Sequence, residues 1–408
     1  MNFTTIEGGI CAPQGFSAAG IHCGIRHNHA KPDLALIKAD VRCAGAACYT
    51  TNKVYGAPIT VDREHLADGY AQAILVNSGN ANTCAPGGVE LARETCRLAA
   101  QALGVDEKDV LPASTGVIGQ AMTIAPFASG IPACAAQLAH SPEGSLNAAF
   151  AIMTTDTHPK QVAVEFTLGG KTCRMGAIAK GSGMIHPNMG TMLAFLTTDC
   201  AITHDMLQDA LHEIVPRTFN RVTVDGDTST NDMCLVLANG MAGNEQIEWK
   251  DDNYTLFYKA LHSVCETLAR AIAADGEGAS RLVTCTVHNA RSEETAERLA
   301  KAVVGSPLVK AAMFGSDANW GRVLCAMGYS KAPFRPEYVD IKFCSDLGEI
   351  LVCKDGTGLD FDEETAKNIL SQDEVIIDVS LKEGEHSASC WGCDLTYDYV
   401  KINGDYRS

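Results

Sequence analysis

No stretch of the 408-residue chain approaches the roughly 20 consecutive apolar residues that a membrane-crossing helix needs, although 46% of its residues are hydrophobic. Residues 1–20 show no basic region followed by an apolar run, so no secretion signal is expected and the cytoplasm is the default location. Basic residues are few: 32 Lys and Arg stand against 49 Asp and Glu, for a formal net charge of −17. A diffuse acidic surface argues against nucleic acid or an anionic membrane as the main partner. Any anionic substrate would therefore need a local cationic pocket. Internal repeats and low-complexity linkers are missing, and charged residues make up 20% of the chain, so nothing signals disorder.

The 17 cysteines lack a metal-binding pattern. They are odd in number and scattered singly. In a reducing compartment Cys234, Cys285 and Cys325, each in an apolar run, read as small buried hydrophobes. Cys390-Trp-Gly-Cys393 is the one tight pair. A zinc site would need a second such pair or a spaced histidine pair, and Cys43 with Cys48 offers only a loose spacing. His27-Asn28-His29 reads as exposed histidines. Asp225-Gly-Asp-Thr-Ser-Thr-Asn-Asp232 resembles a calcium loop, but the twelfth position, where the closing Glu belongs, holds Val236. It reads as a structural or site-lining turn. No metal or organic cofactor is expected.

What is present is an alternation of helical and strand signals, which points to an α/β or α+β architecture. The length suggests two domains, or one with a large elaboration. Residues 73–76 form an apolar strand, followed by a polar turn and a helical pattern through Leu91, Ala92, Thr95, Leu98, Ala99, Ala102 and Leu103 that Gly104 stops. Val162, Val164 and Phe166 alternate with polar residues. Gly169-Gly170 then turns the chain back through 172–179 as a β-hairpin. A strand is expected over 191–198, and Thr203 as the N-cap of the next helix. A long helix over about 254–274, a strand at 282–287, a helix near 292–304 and three strands near 339–343, 350–353 and 375–381 complete the pattern. The tail, 394–402, reads as a strand.

The chemistry centres on Lys180-Gly-Ser-Gly-Met-Ile-His-Pro-Asn-Met-Gly-Thr191-Met-Leu-Ala-Phe195. Its glycines can bring backbone close to a substrate and accept strained torsions. It delivers Thr191 to the start of an apolar strand. A threonine hydroxyl is a weak nucleophile without a neighbouring base. Cleavage before Thr191 would free an α-amine with a pKa of about 8, and that amine can serve as its base. By local pattern alone, Thr191 could equally be an ordinary strand residue after a glycine-rich connector.

This segment resembles the self-cleavage motif of the ornithine acetyltransferase (glutamate N-acetyltransferase) family. Matching segments run in order along the chain: Ala113-Ser-Thr-Gly-Val-Ile-Gly119, Thr154-Thr-Asp-Thr-His-Pro-Lys160, Val222 to Asn231, Asp275-Gly-Glu-Gly-Ala279, Gly315-Ser-Asp-Ala-Asn-Trp-Gly-Arg322 and Tyr399 to Ser408. Two positions depart from the family pattern. Gly190 stands where the family usually has alanine, and Arg407-Ser408 where two small hydroxyl residues are expected.

The resemblance implies an α/β fold, a layered αββα sandwich with a smaller α/β second domain. It implies a catalytic part of about residues 1–280 with 385–408, and a smaller part of about 281–384. A cut between Gly190 and Thr191 would give an α fragment, 1–190, and a β fragment, 191–408, interlocked and paired as a heterotetramer of two of each. Thr191 would be the nucleophile, with Thr115 and Gly116 as the oxyanion hole. Thr154, Lys180, Thr191, Glu277, Asn403 and Ser408 would bind substrate. The implied reaction moves acetyl from N²-acetyl-L-ornithine to L-glutamate without a cofactor, and some members also use acetyl-CoA. Two rivals use the same features: an N-terminal-nucleophile amidohydrolase or aminopeptidase, in which water takes the acyl group, and an uncleaved homologue that only binds amino acids.

Overall fold

The computed structural model describes residues 3–26, 28, 30–186 and 192–404. The expected cleavage pair Gly190 and Thr191, the terminal Ser408, and His27 and His29 therefore lie outside the described residues. The chain divides into two compact units. The first comprises 1–181, 187–220 and 227–268, and the second comprises 182–186, 221–226 and 269–408.

The first unit contains a nine-stranded sheet. Its strands are β1 (Phe3–Ile6), β2 (Phe16–Ile21), β3 (Leu34–Tyr49), β4 (Tyr70–Asn80), β5 (Val110–Val117), β6 (Lys160–Leu168), β7 (Lys171–Lys180), β8 (Leu193–Thr198) and β9 (Met233–Ala238). Helices α1 (Ala57–His65), α2 (Gly88–Leu103), α3 (Ala125–Ala135), α4 (Pro142–Ile152) and α5 (His204–Ile214) pack on it, and α6 (Asp252–Ala274) leads out of the unit.

The long strand β3 organises this sheet. Its first half, from Leu34 to Lys38, pairs with β2 and β4. The register against β4 shifts between Lys38 and Cys43, and beyond that irregularity Ala44 to Tyr49 pairs with β9. One leaf is thus β2-β3-β4-β5 and the other runs β3-β9-β8-β7-β6-β1. Side chains alternate across the first leaf as strand geometry requires. Ala35, Ile37, Ile74 and Val76 join Phe195, Leu235 and Leu237 of the other leaf and Ala148 and Ile152 of α4 in one core. Leu34, Leu36, Ala73 and Leu75 face the opposite way, onto Ala92, Cys96 and Ala99 of α2 and Phe127 and Ile131 of α3. On the second leaf α5 is fixed by Gln208, whose side-chain amide both donates to and accepts from the Ala47 backbone.

Several sequence expectations are met here. The β6–β7 hairpin turns at Gly169-Gly170 with both glycines at positive φ. The Thr203 hydroxyl accepts from Met206 N at the start of α5. Gly104 ends α2 in the left-handed conformation.

The second unit holds a six-stranded sheet in the order β13-β12-β11-β14-β10-β15. These strands are β10 (Leu282–Ala290), β11 (Asp340–Ser345), β12 (Gly348–Lys354), β13 (Thr357–Gly358), β14 (Glu374–Ser380) and β15 (His386–Cys393). Helices α7 (Glu293–Val304), α8 (Pro307–Phe314), α9 (Trp320–Tyr329) and α10 (Glu363–Leu370) belong to the same unit. Val283, Cys285 and Val287 point into a core with Leu299, Val303, Met327 and Ile369. On the other face Thr284 donates to Glu374 and Thr286 pairs with Ser389.

Two expectations are corrected. The tail forms helix α11 (Tyr397–Gly404) rather than a strand. The β-favouring Tyr, Val and Ile of this stretch are overridden at the helix start, where the Thr396 hydroxyl accepts from Asp398 N and donates to Gly278 O. Cys325 is exposed, on the outer side of α9, whereas Cys234 and Cys285 are buried as expected. Among the described residues no helix is long and apolar enough to cross a membrane.

Gly176 of β7 lies so close to another backbone segment that an added Cβ would sit 1.8 Å from the Gly9 carbonyl oxygen. Neither partner is the flexible end of a side chain, so the contact cannot relax cheaply. Gly176→Ala should lower stability by about 1–3 kcal/mol, read from denaturant unfolding. An unchanged midpoint would mean that residues 9 and 10 move freely away from the sheet.

Candidate active site

In the first unit, β4 and β5 run parallel and end side by side, with Ser78 opposite Thr115 and Gly79 opposite Gly116. The approach is close enough that a Cβ on Gly116 would lie 2.3 Å from the Gly79 carbonyl carbon, and Gly116 has φ +132°. Only glycine fits there without strain. Asn231 braces the same corner from the Asp225–Asp232 turn. Its side chain donates to Ala81 O and Ser114 O and accepts from the Thr83 hydroxyl. The turn expected to be structural therefore fixes the strand end that carries Thr115.

Lys180, the last residue of β7, is buried, and its Nζ lies 3.4 Å from Thr115 Oγ1. Lys180 is therefore not a solvated surface lysine. A buried ammonium needs compensation, and Asp156 provides part of it. Its Oδ1 accepts from Lys160 Nζ at 2.7 Å and from Gly181 N at 2.7 Å, while its Oδ2 accepts from Thr154 N at 2.9 Å. Burial by itself would raise this carboxyl. The nearby Lys180 and Lys160 charges and the hydrogen bonds outweigh it and hold Asp156 well below the usual carboxylate range. Asp156 and Lys160 lie inside a quoted motif, but sequence reasoning gave them no role. The only sign was a carboxylate four residues before a lysine in a segment without a helical pattern.

A second buried carboxyl, Asp232, stands at the start of β9. Burial raises it far above its ordinary value, opposed by the Lys180 charge and by hydrogen bonds from Met192 N, Thr50 and Ser229. One of its oxygens meets no hydrogen-bond partner among the described residues. Met192 is buried and its carbonyl accepts from Met233 N at 3.0 Å, so the chain is held in register immediately after residue 191.

In the second unit, the buried Glu277 accepts from Asn403 Nδ2 at 2.7 Å, and its backbone N donates to Ser182 O at 3.0 Å. A Cβ on Gly183 would lie 2.2 Å from the Glu277 carboxylate, so the glycine-rich segment runs directly over it. Gly276 and Gly278 permit equally close approaches, to the Cys393 sulfur and the Tyr399 backbone. Asp225 accepts from the backbone N–H groups of Met184 and Ile185 and pins the same segment. Of the residues named from sequence, Thr115, Gly116, Lys180 and, through Asp156, Thr154 thus gather in the first unit. Glu277 and Asn403 gather in the second. Cys390 and Cys393 do not act as a pair: Cys390 donates to Glu297 O and Cys393 contacts Lys310 Nζ.

The buried Lys180 and the Thr115-Gly116 strand end thus meet on an α/β scaffold. Residues 17–408 match the ArgJ family. The arginine biosynthesis bifunctional protein ArgJ of Symbiobacterium thermophilum is 51% identical over 405 residues, covering 99% of each chain. That of Caldanaerobacter subterraneus subsp. tengcongensis is 49% identical over 404 residues, again 99% of each. The solved ArgJ structure from Bacillus halodurans shares 48% identity over 52% of this chain and 97% of that one, with a TM-score of 0.49. The chain belongs to the ArgJ family and is a transferase of arginine biosynthesis.

The carboxylate of Asp156 makes a clear prediction. Asp156→Asn removes the carboxylate paired with the buried Lys160 and should cost about 3–5 kcal/mol. The pH dependence follows from the lowered folded value. The stabilisation is fully present above the unfolded pKa of about 3.9 and drains away as pH falls from there towards the lower folded value. Denaturant unfolding between neutral pH and pH ~3 should show the acid-side loss in the native protein and a flatter slope in the variant. Equal slopes would remove Asp156 as the anchor of the lysines.

Proposed function

We propose that this protein cuts itself between Gly190 and Thr191 and then transfers acetyl from N²-acetyl-L-ornithine to L-glutamate through an acetyl-Thr191 intermediate. The observation that carries this is the buried Lys180 ammonium beside Thr115 and Gly116, on the strand that leads into the glycine-rich segment. Membership of the ArgJ family supports it.

In the self-cut, Thr191 Oγ attacks the Gly190 carbonyl carbon, the peptide nitrogen leaves as the Thr191 amine, and water hydrolyses the ester. The freed α-amine then takes the hydroxyl proton when Thr191 attacks the acetyl carbonyl. The Thr115 hydroxyl and Gly116 N–H receive the oxyanion. Ornithine leaves as its α-nitrogen takes the proton. Glutamate's amine attacks the acetyl ester in turn, which regenerates Thr191. Lys180 pairs with a substrate carboxylate. Glu277, with Asn403, holds the ornithine side-chain amine, and Thr154 and Ser408 complete the polar contacts. No step calls for a cofactor, and acetyl-CoA would be a second acetyl donor to the same threonine.

The pairing of β7 with β8 supports fragments that stay together. Lys180 to Met175 precede the cut, Leu193 to Thr198 follow it, and the two stretches are hydrogen-bonded neighbours. Two such fragment pairs would form the heterotetramer.

The direct test is a denaturing gel with N-terminal sequencing. Two bands are expected, the second beginning Thr-Met-Leu, and Thr191→Ala should give one band and no transfer. A second band starting elsewhere would remove Thr191 from its role, and an intact wild-type chain would favour a binding protein. Release of acetate instead of N-acetylglutamate would favour the amidohydrolase.

Glu277→Gln keeps the shape but removes the charge that would hold the ornithine amine. A hydrogen bond to a charged group contributes about 1.5–3 kcal/mol, or roughly a ten- to hundredfold change in kcat/KM. The loss should fall on acetylation by acetylornithine and spare discharge to glutamate, which has no side-chain amine. Equal damage to both half-reactions would mean that Glu277 serves the shared chemistry or the fold.

A further inference from the structure

Seventeen cysteines are present, and the mechanism uses none. Cys173 and Cys200 stand apart from the rest. Strand β7 pairs antiparallel with β8, with Met175 opposite Thr198. The ladder continues one step further, since Asp199 N donates to Arg174 O. Extending that register by one more residue sets Cys173 against Cys200 at a non-hydrogen-bonded position. Side chains approach most closely at such positions, and Cα atoms there lie about 4.5 Å apart, at the short end of the disulfide range. The two sulfurs and an Asp199 carboxylate oxygen all lie within 4.8 Å of one another.

We propose that Cys173 and Cys200 are a redox-sensitive pair that closes into a cross-strand disulfide on exposure to a peroxide. The bond would span the segment containing Gly190 and Thr191. In a protein cut there it would tether the two fragments covalently, a consequence that rests on the proposed self-cleavage. The pair itself does not depend on the cut.

The surroundings favour a disulfide over a metal. Both Asp199 oxygens already accept backbone N–H groups, from Arg174 and from Gln14, so this carboxylate serves as a clamp on the strand end. The Cys173 thiol reaches Asn244 Oδ1 at 3.7 Å and Lys171 O at 3.8 Å, and interaction with Cys200 lowers its pKa despite burial, while burial pushes Cys200 far up. An unequal pair of this kind suits attack by one sulfur and resolution by the other. Cys285 and Cys390 also face each other, across β10 and β15. There burial raises both thiols, and neither shows the lowered pKa of Cys173.

The step balances with hydrogen peroxide as oxidant. The Cys173 thiolate attacks one peroxide oxygen and becomes a sulfenic acid, and the other oxygen leaves as water after taking a proton. The Cys200 thiol then attacks the sulfenic sulfur, and a second water departs. Two thiols lose two electrons and the peroxide gains them.

The test uses the full-length protein, reduced, desalted and treated with graded hydrogen peroxide. Remaining thiols are alkylated in denaturant, and the digest is read by mass spectrometry. The expected product is a peptide pair joined through Cys173 and Cys200, abolished by dithiothreitol and absent from Cys200→Ser. The proposal is overturned if both thiols are recovered alkylated under treatment that oxidises the exposed Cys84 and Cys325. It is also overturned if Cys285 and Cys390 join to the same extent. A non-reducing gel separates the two ideas. Oxidised, self-cut protein should run as one full-length species that reductant splits in two. A joined peptide with one band in every lane would keep the pair and remove the cut. Two bands in every lane without a joined peptide would do the reverse.

Discussion

A single buried carboxylate, Asp156, sets the electrostatics on which the candidate site depends. It ties together Lys160 at the start of β6, Gly181 just past the end of β7 and the backbone of Thr154. Lys180, buried beside Thr115, also helps to hold the Asp156 carboxyl in its charged form. Removing that charge would take away a favourable interaction with two buried lysines at once.

The sheet gives this charge cluster its rigidity. Strand β8 is flanked by β7 on one side and β9 on the other, so the chain just beyond residue 191 is fixed from both directions. The irregularity in β3 lets one strand serve two leaves, with a common core between them and helices α2 and α3 outside the first leaf. A nucleophile at the mouth of such a strand would need little reorganisation before reaction, which is the condition for electrostatic stabilisation of an oxyanion. Glycine is required at Gly116 and Gly176 by close backbone approach, at Gly116 also by its positive φ, and at Gly183 by the Glu277 carboxylate beside it.

Local signals were enough to locate most elements. The β6–β7 hairpin announced itself through alternation and Gly169-Gly170, α5 through its Thr203 cap, and α2 through its apolar stripe and Gly104. The tail was misjudged because Tyr, Val and Ile favour strands, while the deciding contact, Thr396 to Gly278, is 118 residues distant in sequence. Thr115, Gly116, Lys180, Glu277 and Asn403 were named through a family resemblance. Their chemistry alone left each of them ambiguous. Asp156 was given no role, and Asn231 and Asp232 were read only as part of a structural or site-lining turn, for the same physical reason. Their roles come from burial among partners on other strands, and no spacing along the chain encodes that.

The central claim is that acetyl passes through Thr191. It is tested most directly by incubating the purified protein with N²-acetyl-L-ornithine alone, quenching in acid, and mapping the modified residue by mass spectrometry. The account predicts one acetyl group per protein on a peptide that begins at Thr191, lost when L-glutamate is added and replaced by N-acetylglutamate in solution. An acetyl group on any other residue, or transfer to glutamate with no acetylated protein formed on the way, would contradict it.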